Sequence, residues 1–288
     1  MDVGFIGVGA MGAAMANHCA EAGFAVRAFD TDAEALSAAT SGAIEAAQDL
    51  TMIAVACDVV IIVVSTDDQT RRVVRRLLEA GPKAGQILVV AATTHPRTMI
   101  ELFAECIDAG CGLIDAPVCY GLKGAIDGDL VSLCGGSAKD IAKVTPVLMT
   151  YSRSVEHLGP SGSGQLGKAC NNMMHWAACV ANFETLSLAK ACGIDAQNMR
   201  ETLLKCPARN TTLERWDTTR FTWHEKDLDV VLDLSQSVGL SLPLFGMVDQ
   251  LVKRLGPDKV KDLLYGAEAE YLGQQVKGRP LKEIAGGS

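Results

Sequence analysis

The segment GSGQLGKACNNMMHWAACVANFETL (162–186) places Lys168, Asn171, Asn172 and His175 at i, i+3, i+4 and i+7 of an otherwise apolar run. In a helix those positions share one face. An amine, two amides and an imidazole on one stripe can hold and move a proton, while Met173, Met174, Trp176, Ala177, Val180 and Phe183 cover the rest of the surface. A free lysine, with a pKa of about 10.4, is protonated and useless as a base. Burial, a neighbouring positive charge or a helix N-terminus each disfavours a lysine's ammonium and makes the amine available. Asn172, one turn beyond Lys168, can orient the amine or hold a hydroxyl. Asn171 reads equally as a site residue or as a structural hydrogen bond. His175 reads as a pocket wall or a satisfied core histidine rather than a second base.

A second constellation lies at the N-terminus. In DVGFIGVGAMGAAMANHCAEAGFAVRAFD an apolar strand-like run is followed by Gly7, Gly9, Ala10, Met11 and Gly12, then an Ala/Met-rich helix, then a strand ending at Asp30. A GxGxxG motif between a strand and a helix, with an acid closing the next strand, is the arrangement that binds a dinucleotide. The glycines allow the tight turn and close approach of pyrophosphate, and the helix N-terminus supplies partial positive charge. Asp30 is placed to accept from the ribose hydroxyls and to repel a 2′-phosphate, so NAD is expected over NADP.

These residues need a scaffold, and the chain supplies alternating β and α patterns. DVVIIVVS and QILVVAATT are near-continuous apolar strands, fit for a parallel sheet covered on both faces. TRRVVRRLLEAG and HPRTMIELFAECIDAG read as helices, the second with Pro96 in its first turn. CGLIDAPV and LVSLCGG add two more strands. Repeated β-α units imply an α/β Rossmann-type, doubly wound parallel sheet with ligands at the strand C-termini. Ser65, Thr66, Thr93 and Thr94 fall at such ends, where each reads as a ribose or nicotinamide contact or as an ordinary cap. Beyond the turn-rich GPSGSG the pattern turns helical. The expected division is a dinucleotide-binding domain over 1–163 and an all-helical substrate and oligomerisation domain over 164–288. The latter opens with a long interdomain helix over 164–192 whose polar stripe would line a cleft. Further helices are expected near 195–206, 225–239, 243–255, 257–264 and 266–275. The irregular CPARNTTLERWDTTRFTWHEK reads as a cleft wall, with Arg209, Asn210, Trp216 and Trp223 as pocket candidates.

The bulk numbers bound the partners. With 49% hydrophobic and 21% charged residues the chain can bury a sizeable core. A formal charge of −8 argues against nucleic acid or an anionic membrane. No apolar run reaches the roughly 18 residues of a membrane span, and no signal peptide is expected. The ten cysteines contain no CxxC pair and the five histidines no HxxxH spacing, so a reduced, cytoplasmic protein without metal is expected.

Four segments together resemble the β-hydroxyacid dehydrogenase family: FIGVGAMGAAMANH, DAPVCYGLKGAIDGDL (115–130), GPSGSGQLGKACNN (159–172) and KDLDVVLDLSQSVGLSLPL (226–244). They occur in the family's order over nearly the whole chain. The resemblance implies that Lys168 is the catalytic lysine, Asn172 the asparagine one turn later, and Lys226 a lysine on the nicotinamide side. It places Cys119, Tyr120 and Gly121 on the loop that holds the substrate carboxylate. The family usually has Ser-Gly-Gly where this chain has Cys119-Tyr120-Gly121, and an asparagine where this chain has His18. Tyr120 would narrow the pocket or stack on a different substrate, and Lys123 would add an anionic contact. Cys119 has no evident base beside it and reads as a pocket wall rather than a nucleophile. The implied activity is hydride transfer between nicotinamide and a small β-hydroxy acid or related hydroxylated anion, in a homodimer or homotetramer. An imine reductase of similar architecture generally lacks the lysine, and a non-catalytic dinucleotide sensor would not need the lysine–asparagine pair.

Overall fold

A computed structural model describes residues 1–279. The chain forms two compact units, one spanning Met1–Lys168 and the other beginning at Ala169, so the division falls inside a helix, a few residues past the expected boundary.

In the first unit, strands β1 (Asp2–Ile6), β2 (Ala25–Phe29), β3 (Glu45–Ala46), β4 (Val59–Ile62), β5 (Ile87–Val90) and β6 (Gly112–Asp115) run parallel in the order β3-β2-β1-β4-β5-β6. Helices α1 (Ala10–Glu21), α2 (Ala33–Ala39), α3 (Leu50–Ala56), α4 (Asp67–Glu79) and α5 (Pro96–Asp108) connect them. Every residue of β4 and β5 is buried, as a sheet covered on both faces requires. The period of two sorts them: Val59, Ile61, Ile87 and Val89 join a core with Met15 and Cys19 of α1. Val60, Ile62, Leu88 and Val90 join another with Ile53, Val74, Leu77, Met99 and Leu102.

The sheet then departs from the expected parallel repeat. After β6 come β7 (Val118–Cys119), α6 (Gly121–Asp127), β8 (Leu130–Gly135), α7 (Ala138–Leu148), β9 (Ser152–Gly159) and the long α8 (Ser163–Ala191). Strand β8 is antiparallel to β6 and β7, and β9 is parallel to β8. The cause is local. Tyr120 (φ 86°) and Gly121 (φ 61°) take left-handed conformations after β7 and turn the chain back, so Val118 and Cys119 pair with Ser132 and Val131.

One buried carboxylate fixes the start of α8. Asp115, fully buried at the end of β6, accepts the Gly162 N–H at 2.7 Å on Oδ1 and the Gln165 N–H at 2.9 Å on Oδ2. Burial pushes its carboxyl above the ordinary carboxylate range, and the N–H groups of Gly162, Gln165 and Gly164 pull it back. The glycines of GPSGSG now have a reason. Gly162 has φ 91°, and a Cβ on Gly164 would collide with the Leu133 carbonyl and the Asp115 carboxylate.

In the second unit α8 continues, followed by α9 (Ala196–Leu203), α10 (Thr211–Glu214), a 3-10 turn (Trp216–Thr218), α11 (His224–Ser237), α12 (Pro243–Val252) and α13 (Pro257–Tyr265). The helix expected over 266–275 is instead an antiparallel hairpin of β10 (Ala269–Tyr271) and β11 (Gln274–Val276). Leu272 and Gly273 both have positive φ, the geometry of a two-residue hairpin turn. Ala269 and Val276 are the hairpin's buried residues. The segment expected as a cleft wall fills the core in part, with Leu213, Trp216 and Phe221 buried. Trp216 is fully buried there, which removes it from the pocket candidates.

Replacing Asp115 by Asn points an amide N–H at a backbone donor and leaves that donor unsatisfied. Asp115→Asn is expected to lower whole-chain stability by about 1–3 kcal/mol in urea unfolding. An unchanged midpoint would show that the carboxylate does not anchor α8.

Candidate dinucleotide loop and lysine site

Backbone sterics shape the glycine loop. Gly7 (φ 87°) donates its N–H to the Phe29 carbonyl at 3.0 Å, and a Cβ there would strike the Val63 carbonyl. A Cβ on Gly12 would strike the Gly7 carbonyl, so the loop and α1 pack too tightly for any side chain. Gly9 faces open space, with nothing within 4 Å of an added Cβ. It caps α1 without a side-chain hydrogen bond, and the first turn, with Ala10 and Met11, carries no acid. N–H groups left without an acidic partner at the head of a 12-residue helix fit a bound anion.

Asp30 tightens this loop from β2. Its Oδ2 accepts the Val8 N–H at 2.7 Å and its Oδ1 the Asp32 N–H at 2.9 Å. A carboxylate has about four acceptor positions, so capacity for ribose hydroxyls remains. Arg27, the nearby cation, is engaged with Asp2 and Glu45. At the ends of β4 and β5, Thr66 proves to be the N-cap of α4 in a reciprocal capping box with Gln69. Ser65 lies exposed beside it, with its N–H on the same Gln69 side chain. Thr93 is half-buried. Thr94 is buried, donates its N–H to Gln165, and leaves its hydroxyl without a partner among the described residues.

Gln165 and Asp115 are the residues that the sequence reading missed. The buried Gln165 amide donates to the Ala92 carbonyl at 2.8 Å and accepts the Thr94 N–H at 3.0 Å, lashing α8 to the end of β5. Their signal was position alone: an acid closing a strand, and an amide inside a glycine-rich helix start.

One turn later comes Lys168. Its Nζ lies 4.0 Å from the Sγ of the buried Cys119. No carboxylate among the described residues lies within ion-pair distance of it. Asn172 is buried one helical turn on, and the exposed Asn171 donates its amide to it at 3.1 Å, tying the two asparagines together. His175 is a satisfied side chain of the second unit, with Nδ1 2.9 Å from the Thr212 hydroxyl and Nε2 3.9 Å from Cys179 Sγ. Lys226 sits in the first turn of α11. Arg209 is paired with Glu214, and Asn210 caps α10. Trp223 is exposed.

Around the loop of 119–121, several side chains have partners within the first unit. Lys123 is exposed and its ammonium sits 2.7 Å from Asp127 on its own helix, so the cation is paired there. Tyr120 packs against the sheet core, and the Arg153 guanidinium lies 4.2 Å above its ring. Its left-handed backbone costs about 1–2 kcal/mol for a residue with a side chain, and a cation–π contact at an exposed site returns about 0.5–1 kcal/mol. The stack thus offsets about half of that cost. His18 places Nε2 3.0 Å from the Ala125 carbonyl and 3.1 Å from that of Ile126, closing the far end of α6.

Residues 2–159 match the family described as the NAD binding domain of 6-phosphogluconate dehydrogenase, and residues 162–263 the family described as NAD-binding of NADP-dependent 3-hydroxyisobutyrate dehydrogenase. The chain belongs to the β-hydroxyacid dehydrogenase family. As a member it is an oxidoreductase with a nicotinamide-dinucleotide fold, and its glycine loop fits that group sterically. An uncharacterized oxidoreductase of Shewanella frigidimarina is 32% identical over 261 residues, 86% of this chain and 90% of that protein. The 2-(hydroxymethyl)glutarate dehydrogenase of Eubacterium barkeri is 27% identical over 270 residues, 87% of this chain and 88% of that one. The structure of Mycobacterium tuberculosis 3-hydroxyisobutyrate dehydrogenase with L-serine superposes with a TM-score of 0.80 at 25% identity, covering 88% of this chain and 92% of that one. No helix among the described residues is long and apolar enough to cross a membrane, and no cluster of three potential metal ligands occurs among them.

The two glycines separate packing from binding. Gly9→Ala is expected to keep the thermal midpoint while weakening dinucleotide affinity by about tenfold or more, roughly 1.4 kcal/mol. Gly12→Ala should lower both. Unchanged affinity in Gly9→Ala, read by tryptophan-fluorescence titration, would take the loop out of the site.

Proposed function

We propose that the protein is an NAD-dependent dehydrogenase that acts on a small β-hydroxy acid, with Lys168 as general acid and base. The observation that carries the reading is the placement of Lys168. Its helix turn is pinned by Asp115 and Gln165, and its amine stands beside Cys119 on the loop implied to hold the substrate carboxylate. No carboxylate among the described residues competes with a substrate for that amine.

When bound, the nicotinamide supplies the hydride acceptor or donor. The chain's own residues handle the proton and the pose. Lys168 takes the hydroxyl proton of the alcohol at Nζ in oxidation and returns it to the carbonyl oxygen in reduction. Asn172, one turn on along the same helix, holds the substrate hydroxyl or steadies the amine. The backbone of Cys119, Tyr120 and Gly121 receives the carboxylate, and the Cys119 thiol forms a small wall. Asp30 accepts from the adenosine ribose and repels a 2′-phosphate, which favours NAD. The 2-(hydroxymethyl)glutarate of the Eubacterium relative and the L-serine of the Mycobacterium structure share a carboxylate with the hydroxyl on the next-but-one carbon. That chemistry defines the proposed substrate class.

Lys168→Ala is expected to lower kcat by about 10²–10⁴ while dinucleotide affinity stays nearly intact. The assay follows reduced-nicotinamide absorbance with a panel of β-hydroxy acids. Retention of more than about a tenth of wild-type kcat would reject the lysine as the base. Dinucleotide binding without turnover of any alcohol would favour a sensor. In the same assay Asp30→Ala should narrow the preference for NAD over NADP, and an unchanged ratio would remove Asp30 from cofactor selection.

A further inference from the structure

Arg153 occupies an unusual backbone position. Leu130 of β8 pairs with Ser152, and Val131 pairs with Ser154, so Arg153 is the extra residue of a β-bulge. Bulges re-aim a side chain that a regular strand would send elsewhere. This one sends the guanidinium across the ring of Tyr120, 4.2 Å from its centroid, and to Asp129, 3.2 Å away. Tyr120 in turn is the residue held at φ 86°, where the resembling family usually carries glycine. Cys119 precedes it directly, with its Sγ 4.0 Å from the Lys168 amine.

We propose that Arg153 is a positioning residue that clamps Tyr120 in its left-handed conformation and thereby holds the Cys119–Gly121 backbone against Lys168. The inference rests on the reading that this loop receives the substrate. Released from the stack, Tyr120 relaxes toward negative φ and rotates the peptide planes on either side. Those planes carry the N–H groups that would meet a carboxylate. Glycine needs no such clamp, because it takes positive φ without a Cβ penalty. The bulge, the stack on Tyr120 and the ion pair to Asp129 are thus one device by which a large ring occupies a glycine position. Arg153 is exposed and touches no reacting group, so its effect is on substrate affinity rather than on the chemical step.

The test is a double-mutant cycle read two ways. By hydrogen–deuterium exchange of the full chain, Arg153→Ala is expected to speed exchange in the peptide covering 119–125 by about two- to fivefold. In a Tyr120→Gly background the same substitution should add nothing, and Tyr120→Phe, which keeps the ring, should stay close to wild type. In the turnover assay Arg153→Ala should raise KM for the hydroxy acid by a similar factor and leave kcat within about twofold. Unchanged exchange in Arg153→Ala, equal increments in both backgrounds, or faster exchange with an unmoved KM would overturn the proposal. If wild type turns over no hydroxy acid but the exchange pattern holds, the clamp stands and the dehydrogenase reading falls.

Discussion

A carboxylate taken out of water keeps its place only if donors converge on it, and Asp115 is such a group. Its two oxygens draw the N–H groups of Gly162 and Gln165 to the end of β6 and so hold the first turn of α8 there. Room for this exists because Gly135 and Gly164 lack side chains; a Cβ on either would strike the carboxylate. Gln165 then ties the same turn to Ala92 and Thr94 at the end of β5. The lysine amine inherits its position from this grip, because one helical turn leaves little freedom between Gln165 and Lys168.

Hydrophobic burial and polar matching divide the work. The alternating Val, Ile and Leu side chains of β4 and β5 feed two cores, each residue contributing about 1.5–3 kcal/mol when fully buried. That sum dwarfs any one hydrogen bond, yet it is non-directional and would accept α8 a turn higher or lower. An orphaned buried donor costs about 1–3 kcal/mol, which is enough to reject those alternatives. The sheet supplies stability, and a few polar contacts at its edge supply address.

Legibility from sequence followed the range of the interactions. The glycine loop could be read because its constraint is steric and local: Gly7 and Gly12 admit no Cβ. The β4 and β5 strands could be read because burial on both faces leaves an unbroken apolar run. The reversal into β8 could not, because it depends on Tyr120 entering a conformation that residue type disfavours. The hairpin at 269–276 was hidden by helix-forming residues on either side of the Leu272-Gly273 turn. Trp216 reads from its irregular, polar segment as a pocket residue, and only the packed second unit shows it filling a core. Lys123 could have been read better, since Asp127 stands four residues along the same helix. Asp115 and Gln165 lay beyond reach, their partners separated by up to 73 positions.

The order of synthesis gives the Asp115 grip a further meaning. The carboxylate leaves the ribosome 47 residues ahead of its first donor and 50 ahead of its second. Until they emerge, the nascent chain can lay down β1 to β5 but must keep that acid hydrated, because nothing yet neutralises it in the interior. The edge of the sheet therefore closes only once the linker into the second unit has been made. A half-built product is held open at a strand end whose partners have not yet been made.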